Sequence, residues 1–361
     1  MSEDDQNRAA DALTVDPGVA RSSRKRNMAK MDVVIPCYNY GRFLEQCVDS
    51  VLNHAACDVR ILIIDDASSD NSASVARELA AKYRAVEARI HSTNAGHIKT
   101  YNEGIDWAES DYFLLLSADD MLVAGALDRA VAVMDDNPDV VLTFGECIPW
   151  HDTDPLPDLA PVQQYTWERC ELLRKMCETA SNFVPTPTAV VRTSVQKAIG
   201  GYRASLPHTG DMEMWLRFAA NGSVAGIDTI QAIYRKHGSA MSNAYFADML
   251  SDYRQRQQAF DSFFNEYANR LEDVARLQLT ARQALAQVVF DGGIGLLRRG
   301  RLYEGIRHMR ESMELDHRLR YRPPLWRLMR LPGTEGRERA LRIIKEAAGR
   351  VSNRAAQLGR T

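Results

Sequence analysis

Apolar and polar residues follow one another in blocks along the first 145 positions. DVVIPCYN (32–39) is an apolar run that ends in a turn, and VRILIIDD (59–66) stays apolar until two aspartates close it. Runs of this kind, without strict alternation, mark strands covered on both faces, as in a parallel sheet. Between them, GRFLEQCVDSVLNHA (41–55) repeats its apolar residues at helical spacing: Phe43, Leu44, Cys47, Val48, Val51 and Leu52. SSDNSASVARELAAKY opens with capping residues and continues as a helix. VEARIHS, DYFLLLS (111–117) and VVLTFGE read as further strands, and GHIKTYNEGIDWA (96–108) and VAGALDRAVAVMDDN as further helices. The alternation predicts an α/β fold: an open, mostly parallel sheet with helices on both faces.

From 146 to 190 the pattern loosens around Pro149, Pro155, Pro157, Pro161, Pro185 and Pro187, with one helix expected over WERCELLRKMCETA. DMEMWLRFAANG (211–222) is a compact amphipathic helix, and VAGIDTIQAIYRKH returns to the sheet as one or two strands. The remainder is helical in character. Its stretch 286–316 suggests two amphipathic helices joined by a turn of small residues. The expected organisation is therefore a disordered leader over 1–28, a main domain over 29–244, and a helical C-terminal region with a basic tail over 245–361.

Composition narrows the classes. The 361 residues are 45% hydrophobic, enough for a large α/β domain with an appendage. A net charge of −3 gives the whole chain no nucleic-acid signature. The charge is uneven, since residues 317–361 hold twelve Lys/Arg against three Glu. The six cysteines form no C-x-x-C pair, which reads as free thiols in a reducing cytoplasm. No apolar run reaches the roughly 20 residues that span a bilayer, and the N-terminus has no signal-peptide core. There is no Gly-rich phosphate loop after the first strand and no G-x-S-x-G elbow, which argues against P-loop, dinucleotide-binding and serine-hydrolase chemistry.

In open α/β sheets ligands bind beyond the carboxyl ends of the strands, and the polar clusters fall there. PCYN closes the first strand, DDASSD the second, and SADD the strand at 111–116. Adjacent carboxylates repel and are costly to bury, so each pair is either solvated in a turn or faces a cation. Asp119 suits Mg²⁺ or Mn²⁺, hard ions that bridge carboxylates and diphosphates, with Asp120 orienting substrate or facing solvent. The alternative is a helix cap. Asp65 and Asp66 suit an imide N–H or a ribose hydroxyl, or simply a solvated turn. Asp211 and Glu213 open the helix at 211, where the helix dipole favours a carboxylate anion of the kind a general base needs. Arg235, Lys236 and His237 follow a strand as a candidate diphosphate clamp, His237 doubling as a candidate metal ligand.

As an ordered set, VVIPCYNYGRFLEQCVDSVL, ILIIDDASSDNS, NAGHIKTYNEGI, YFLLLSADD, GGYRASLPHTGDMEMWLRFA and YRKHGSAMS resemble the family 2 glycosyltransferases of the GT-A fold. The resemblance covers about residues 32–242. It implies a Rossmann-like mostly parallel sheet and inverting transfer of a sugar from a nucleotide-diphosphate donor, UDP- or GDP-type, to a glycan or lipid-linked acceptor. It further implies nucleoside and donor contacts from Pro36, Tyr38, Asp65, Asp66, Asn94, Gly96 and Asn102; Asn39, Ser117, Asp120, Arg235 and Lys236 are expected substrate contacts beside them. Asp119 and His237 would hold Mg²⁺ or Mn²⁺, and Asp211 would be the base, with Glu213 its rival. Two departures stand out: Ser117 occupies the first position of the D-x-D-type motif, and Gly210 precedes Asp211 where many members have Glu. Two other readings are a catalytically degenerate scaffold and a sugar nucleotidyltransferase. The expected placement is cytoplasmic, with the basic tail offering contact to the inner membrane face and no nucleic-acid partner.

Overall fold

The computed structural model describes residues 13–14, 29–53, 55–157, 159, 162, 164–241 and 249–321. The expected leader, apart from residues 13–14, and the basic tail beyond 321 lie outside the described residues. The strands are β1 (Leu13–Thr14), β2 (Lys30–Cys37), β3 (Asp58–Asp65), β4 (Val86–Ile90), β5 (Tyr112–Leu115), β6 (Met121–Leu122), β7 (Val140–His151), β8 (Thr166–Cys170), β9 (Val190–Arg192) and β10 (Ser223–Lys236). The helices are α1 (Gly41–Leu52), α2 (Ser72–Lys82), α3 (His97–Trp107), α4 (Ala126–Asp136), α5 (Leu172–Thr179), α6 (Thr193–Ile199), α7 (Gly210–Ala219), α8 (Met249–Tyr267), α9 (Val274–Arg298) and α10 (Leu302–Leu315).

The strands join in the order β1-β8-β10-β7-β9-β5-β2-β3-β4, with β6 paired to β10. The long ladders, β2 with β3, β3 with β4 and β7 with β10, are parallel. Short antiparallel pairings of β9 with β5 and β7 stitch the two parallel parts together. WERC, expected in a helix, lies in β8 instead, where it pairs with β10.

Alternation along β2 explains the helices on both faces. Val33, Ile35 and Cys37 cluster with Leu44, Cys47 and Val48 of α1. The intervening Val34 points the other way, toward α3, where a Cβ on Gly104 would come within 2.4 Å of its methyl group. Glycine is needed there for the helix to approach the strand. Asp32, fully buried, accepts hydrogen bonds from Arg60 Nε and Nη2, the amides of Glu109 and Ser110, and the Ser110 hydroxyl. That set fixes the entry of β5 beside β2, and with it the position of the acidic turn that follows.

The described residues fall into two compact units, one drawn from Met1–Cys177 and Ser181–Ala275, the other from Glu178–Ala180 and Arg276–Thr361. The first unit includes α8, so it reaches beyond the boundary the sequence pattern placed at 244. In the second, Ala286, Phe290, Ile294 and Leu319 form a small core. The small residues expected to form a turn lie within α9 instead. Gly293 and Gly305 let α9 and α10 approach until a Cβ on Gly305 would sit 2.6 Å from Leu297. The turn itself is at Gly300, whose φ of +79° suits glycine.

Candidate active site

The ends of β2, β3 and β5 carry polar turns that interlock. Asn39 sits at φ 61°, a conformation Asn tolerates better than most residues. Its Oδ1 accepts hydrogen bonds from the Ser69 amide (2.8 Å) and hydroxyl (3.1 Å), and its own amide donates to Ser68 Oγ. Pro36 is half-buried in β2 and Tyr38 is exposed beside the turn. Asp65 is fully buried; its Oδ2 accepts the Ser68 amide at 3.1 Å, and among the described residues its Oδ1 has no hydrogen-bond partner.

Asp66 is used differently. Its Oδ1 meets the Ala95 amide (2.7 Å) and His91 Nδ1 (2.8 Å), and its Oδ2 the Gly96 amide (2.9 Å). Burial pushes this carboxyl up, but the two amides and the imidazole outweigh it and hold the pKa below the ordinary value. His91 also bonds Glu103 Oε2 at 2.8 Å. Against burial, the two carboxylates hold the ring's pKa above the usual histidine value. The turn at Asn94 and Gly96 is thereby fixed at the start of α3: Asn94 Nδ2 donates to the Asp66 carbonyl and Gly96 adopts φ +84°. Asn102 turns inward, clasping the Tyr202 backbone through both its Oδ1 and Nδ2.

After β5, Ser117 Oγ donates to Asp119 Oδ1 at 2.5 Å, and Asp119 Oδ2 lies 3.0 Å from His237 Nε2 at the end of β10. Two polar atoms 3.0 Å apart have the spacing that neighbouring ligands of an octahedral ion at about 2.1 Å span, so the pair fits Mg²⁺ or Mn²⁺. Among the described residues no group of three His, Cys, Asp or Glu completes such a centre, and an ion here would draw its other ligands from substrate and water. Asp120 faces inward: it is 2% exposed and its Oδ1 accepts the Arg235 amide. Burial, reinforced by Asp119, raises its pKa well above the carboxylate range.

Arg235 is also inward. Its Nε donates to the Asp119 carbonyl and its Nη2 to Gln46 Oε1, while its guanidinium lies 4.3 Å from the Phe43 ring centroid and 4.6 Å from that of Trp150. Lys236 is exposed between two buried neighbours, so alternation turns it away from the face that carries Arg235 and His237. Of the candidate clamp, Arg235 and His237 share one face and Lys236 lies on the other.

Asp211 and Glu213, two residues apart on α7, meet different surroundings. Glu213 is fully buried and bonded to Arg203 Nε (2.7 Å) and to Arg217 Nε and Nη2 (3.0 and 2.9 Å). A carboxylate so buried and already paired with two guanidiniums is poorly placed to meet an incoming hydroxyl. Asp211 reaches the surface, and its Oδ2 accepts Asn182 Nδ2 (2.9 Å) and the Thr186 hydroxyl (3.4 Å). Part of it is open to solvent, yet dense protein around it desolvates the charge and lifts its pKa above the ordinary value, against the Met212 amide and His208. The 3-10 turn Thr186–Thr188 packs on β5 and β6, the strands that flank Asp119 and Asp120. The turn that holds Asp211 through Thr186 thus borders the strands on either side of the acidic turn. A concavity of about 460 Å³ lined by Asn102, Asp106, Gly201, Arg203, Arg217 and Glu266 lies apart from Asp119, Asp211 and His237, and its guanidiniums are already paired with Glu213 and Glu266.

Sequence pattern did not single out His91, Asn182, Thr186, Arg42 or Ser239. His91, Asn182 and Thr186 lie 25 or more residues from the acid each serves and Arg42 lies 197 from Ser239; only Ser239, two residues from His237, carried a local signal.

The description of glycosyl transferase family 2 matches residues 32–196. Asp211, Arg235 and His237 lie beyond that segment. An uncharacterized glycosyltransferase of Rickettsia typhi is 23% identical over 215 residues, 59% of this chain and 66% of its own. One of Haemophilus influenzae is 29% identical over 119 residues, 33% of this chain and 47% of its own. The chain thus spans about two thirds and about half of these two relatives. Among solved structures, Staphylococcus aureus TarS 1–349 in complex with UDP-GlcNAc superposes with a TM-score of 0.59 at 16% identity, over 80% of this chain and 82% of that one. The motifs at the strand ends and the match over residues 32–196 mark that segment as similar to glycosyl transferase family 2, and the sheet that presents them has the GT-A fold.

Proposed function

We propose that this protein is an inverting glycosyltransferase that moves a sugar from a nucleoside-diphosphate sugar to an acceptor hydroxyl, in the synthesis of a polysaccharide, glycolipid or glycoconjugate. The observation that carries the reading is the Asp119–His237 contact. It joins two sequence motifs 118 residues apart at the strand ends where such sheets bind ligands.

Asp211 is the base. Its raised pKa and its exposure suit it to accept the proton of an acceptor hydroxyl as that oxygen attacks the anomeric carbon. Asn182 and Thr186 hold its Oδ2 in place. The bond from the anomeric carbon to the donor phosphate breaks on the opposite face, and its electron pair leaves with the nucleoside diphosphate. One displacement inverts the centre. Asp119 and His237 would hold Mg²⁺ or Mn²⁺, which when bound offsets the charge of the leaving diphosphate. The Ser117 hydroxyl, where a carboxylate is more usual, orients Asp119 instead of sharing a ligand role, which weakens the case for a degenerate scaffold. Asp65, with one oxygen unpartnered among the described residues, and the exposed Tyr38 are the candidate contacts for the nucleoside. The basic residues beyond 317 suit an anionic membrane surface, where a lipid-linked acceptor would be found.

The experiment is a thermal-shift screen of UDP, GDP, CMP and dTDP with and without Mn²⁺; UDP comes first because a protein of like fold was crystallised with UDP-GlcNAc. A ligand that binds only the folded state raises the midpoint by mass action. A Mn²⁺-dependent rise with one nucleotide supports the reading; no rise with any of them opposes it.

A further inference from the structure

We propose that Arg42, together with Ser239, is the residue pair that meets the phosphates of the donor. The inference rests on the nucleotide-sugar reading above and names the cation that reading needs, a place neither Arg235 nor Lys236 can fill.

Arg42 is exposed in the first turn of α1. Its Nη2 lies 3.5 Å from Ser239 Oγ, Ser239 Oγ lies 2.9 Å from His237 Nδ1, and His237 Nε2 lies 3.0 Å from Asp119 Oδ2. Three contacts therefore connect the guanidinium to the acidic turn. Tyr40 holds the same wall together: its hydroxyl donates to the Ser239 carbonyl at 3.4 Å and its ring stands edge-on to His237, with centroids 5.3 Å apart.

The electrostatics of this wall are unbalanced. No described carboxylate forms an ion pair with Arg42, and α1 has no acidic residue in its first turn. A cation at the positive end of a helix is locally unfavourable. The Arg42 guanidinium lies 4.4 Å from the Phe43 ring centroid, and the same ring has the Arg235 guanidinium 4.3 Å away. Two guanidiniums around one ring repel each other. The Phe43 ring and Ser239 hold the guanidinium only weakly, and among the described residues no carboxylate balances its charge, which a phosphate at the mouth of the site would do. The 3.5 Å contact with Ser239 is long for a hydrogen bond, which leaves the guanidinium able to turn onto a ligand. Arginine also suits the chemistry. Its planar donors match phosphate oxygens two at a time, and they would take up the charge that arrives on the diphosphate when the bond to the sugar breaks.

The test is calorimetric titration of the full chain and its Arg42→Ala and Arg42→Lys variants, with UDP and uridine, and with GDP and guanosine in parallel, all in Mn²⁺. The expected result is a loss of about tenfold in affinity for the nucleoside diphosphate in Arg42→Ala, the size of one charge-assisted hydrogen bond. The nucleoside should bind unchanged, Arg42→Lys should fall between, and the loss should shrink at high salt. The Arg42→Ala thermal midpoint without ligand should stay near that of the wild type, because Arg42 is exposed and the lost contact with Phe43 is offset by the relief of its repulsion with Arg235. Equal affinity of wild type and Arg42→Ala for the diphosphate overturns the inference and leaves the donor reading standing. So does an equal loss of nucleoside and diphosphate, which would mean that Arg42 shapes the wall and does not touch the phosphates. A wild type that binds neither diphosphate removes the donor reading and this inference with it.

Discussion

Asp211 and Glu213 are separated by one residue, and the structure assigns them opposite fates when neutralised. In Glu213→Gln, Arg203 and Arg217 lose their shared carboxylate. Arg217 is 1% exposed, so its charge cannot recover hydration. Breaking a buried pair in this way costs about 3–5 kcal/mol. Arg217 keeps the Ile199 and Gly201 carbonyls as partners at 2.5 and 2.8 Å, which puts the loss toward the lower end, about 3 kcal/mol. For a domain of this size that is a fall in thermal midpoint of roughly 6–12 °C. Asp211→Asn goes the other way. The fold disfavours the charge at this position, so a neutral near-isostere should leave the midpoint unchanged or slightly higher. Turnover should drop by about 10²–10⁴, the usual contribution of a general base. The assay pairs a thermal melt with nucleoside-diphosphate release from the donor that the ligand screen selects, each variant measured below its own midpoint. If Glu213→Gln proved as stable as the wild type and inactive, or Asp211→Asn stayed active, the assignment of the base would be refuted.

Further consequences can be checked separately. Asp119→Ala should abolish the Mn²⁺-dependent part of the nucleotide-induced thermal shift while leaving the melt without ligand near that of the wild type. His91, whose folded pKa is raised by Asp66 and Glu103, contributes stability that is fully present below the ordinary histidine value of about 6.5 and is lost as pH rises through the folded value. The midpoint difference between wild type and His91→Gln should therefore be largest in mild acid and narrow as pH increases. Activity should rise with pH through a value above the ordinary aspartate pKa of about 3.9, set by Asp211. Gly201→Ala would place a Cβ 2.3 Å from Asn102 Oδ1 and disturb the clasp on Tyr202, a cost of about 1–3 kcal/mol measurable by urea denaturation.

Much of the sheet was legible because apolar runs such as Ile61–Ile64 have no other economical home, and the polar residues that end them must lie on one edge. The direction each polar side chain takes was less legible. Asp119 and Asp120 are neighbours in a turn, and only packing against β10 decides that one faces His237 and the other the core. Arg235 read as a phosphate cation because a basic cluster near a strand end looks alike whether its guanidinium points out or lies between Phe43 and Trp150. Glu213 carried a usable signal: Arg217, four residues on, is the i+4 partner of a structural helix pair. That α8 groups with the main unit was not legible, because the bonds that tie it down, His208 to Asp252 and Thr209 to the Gln255 carbonyl, join positions more than forty residues apart.

The central claim, single displacement on a nucleotide sugar, is tested most directly by proton NMR of the sugar released by slow donor hydrolysis, recorded before mutarotation. From an α-linked donor the account predicts the β anomer as the first product. The α anomer would mean net retention, by double displacement or by attack on the face the diphosphate leaves, and would contradict a single displacement with Asp211 as the base.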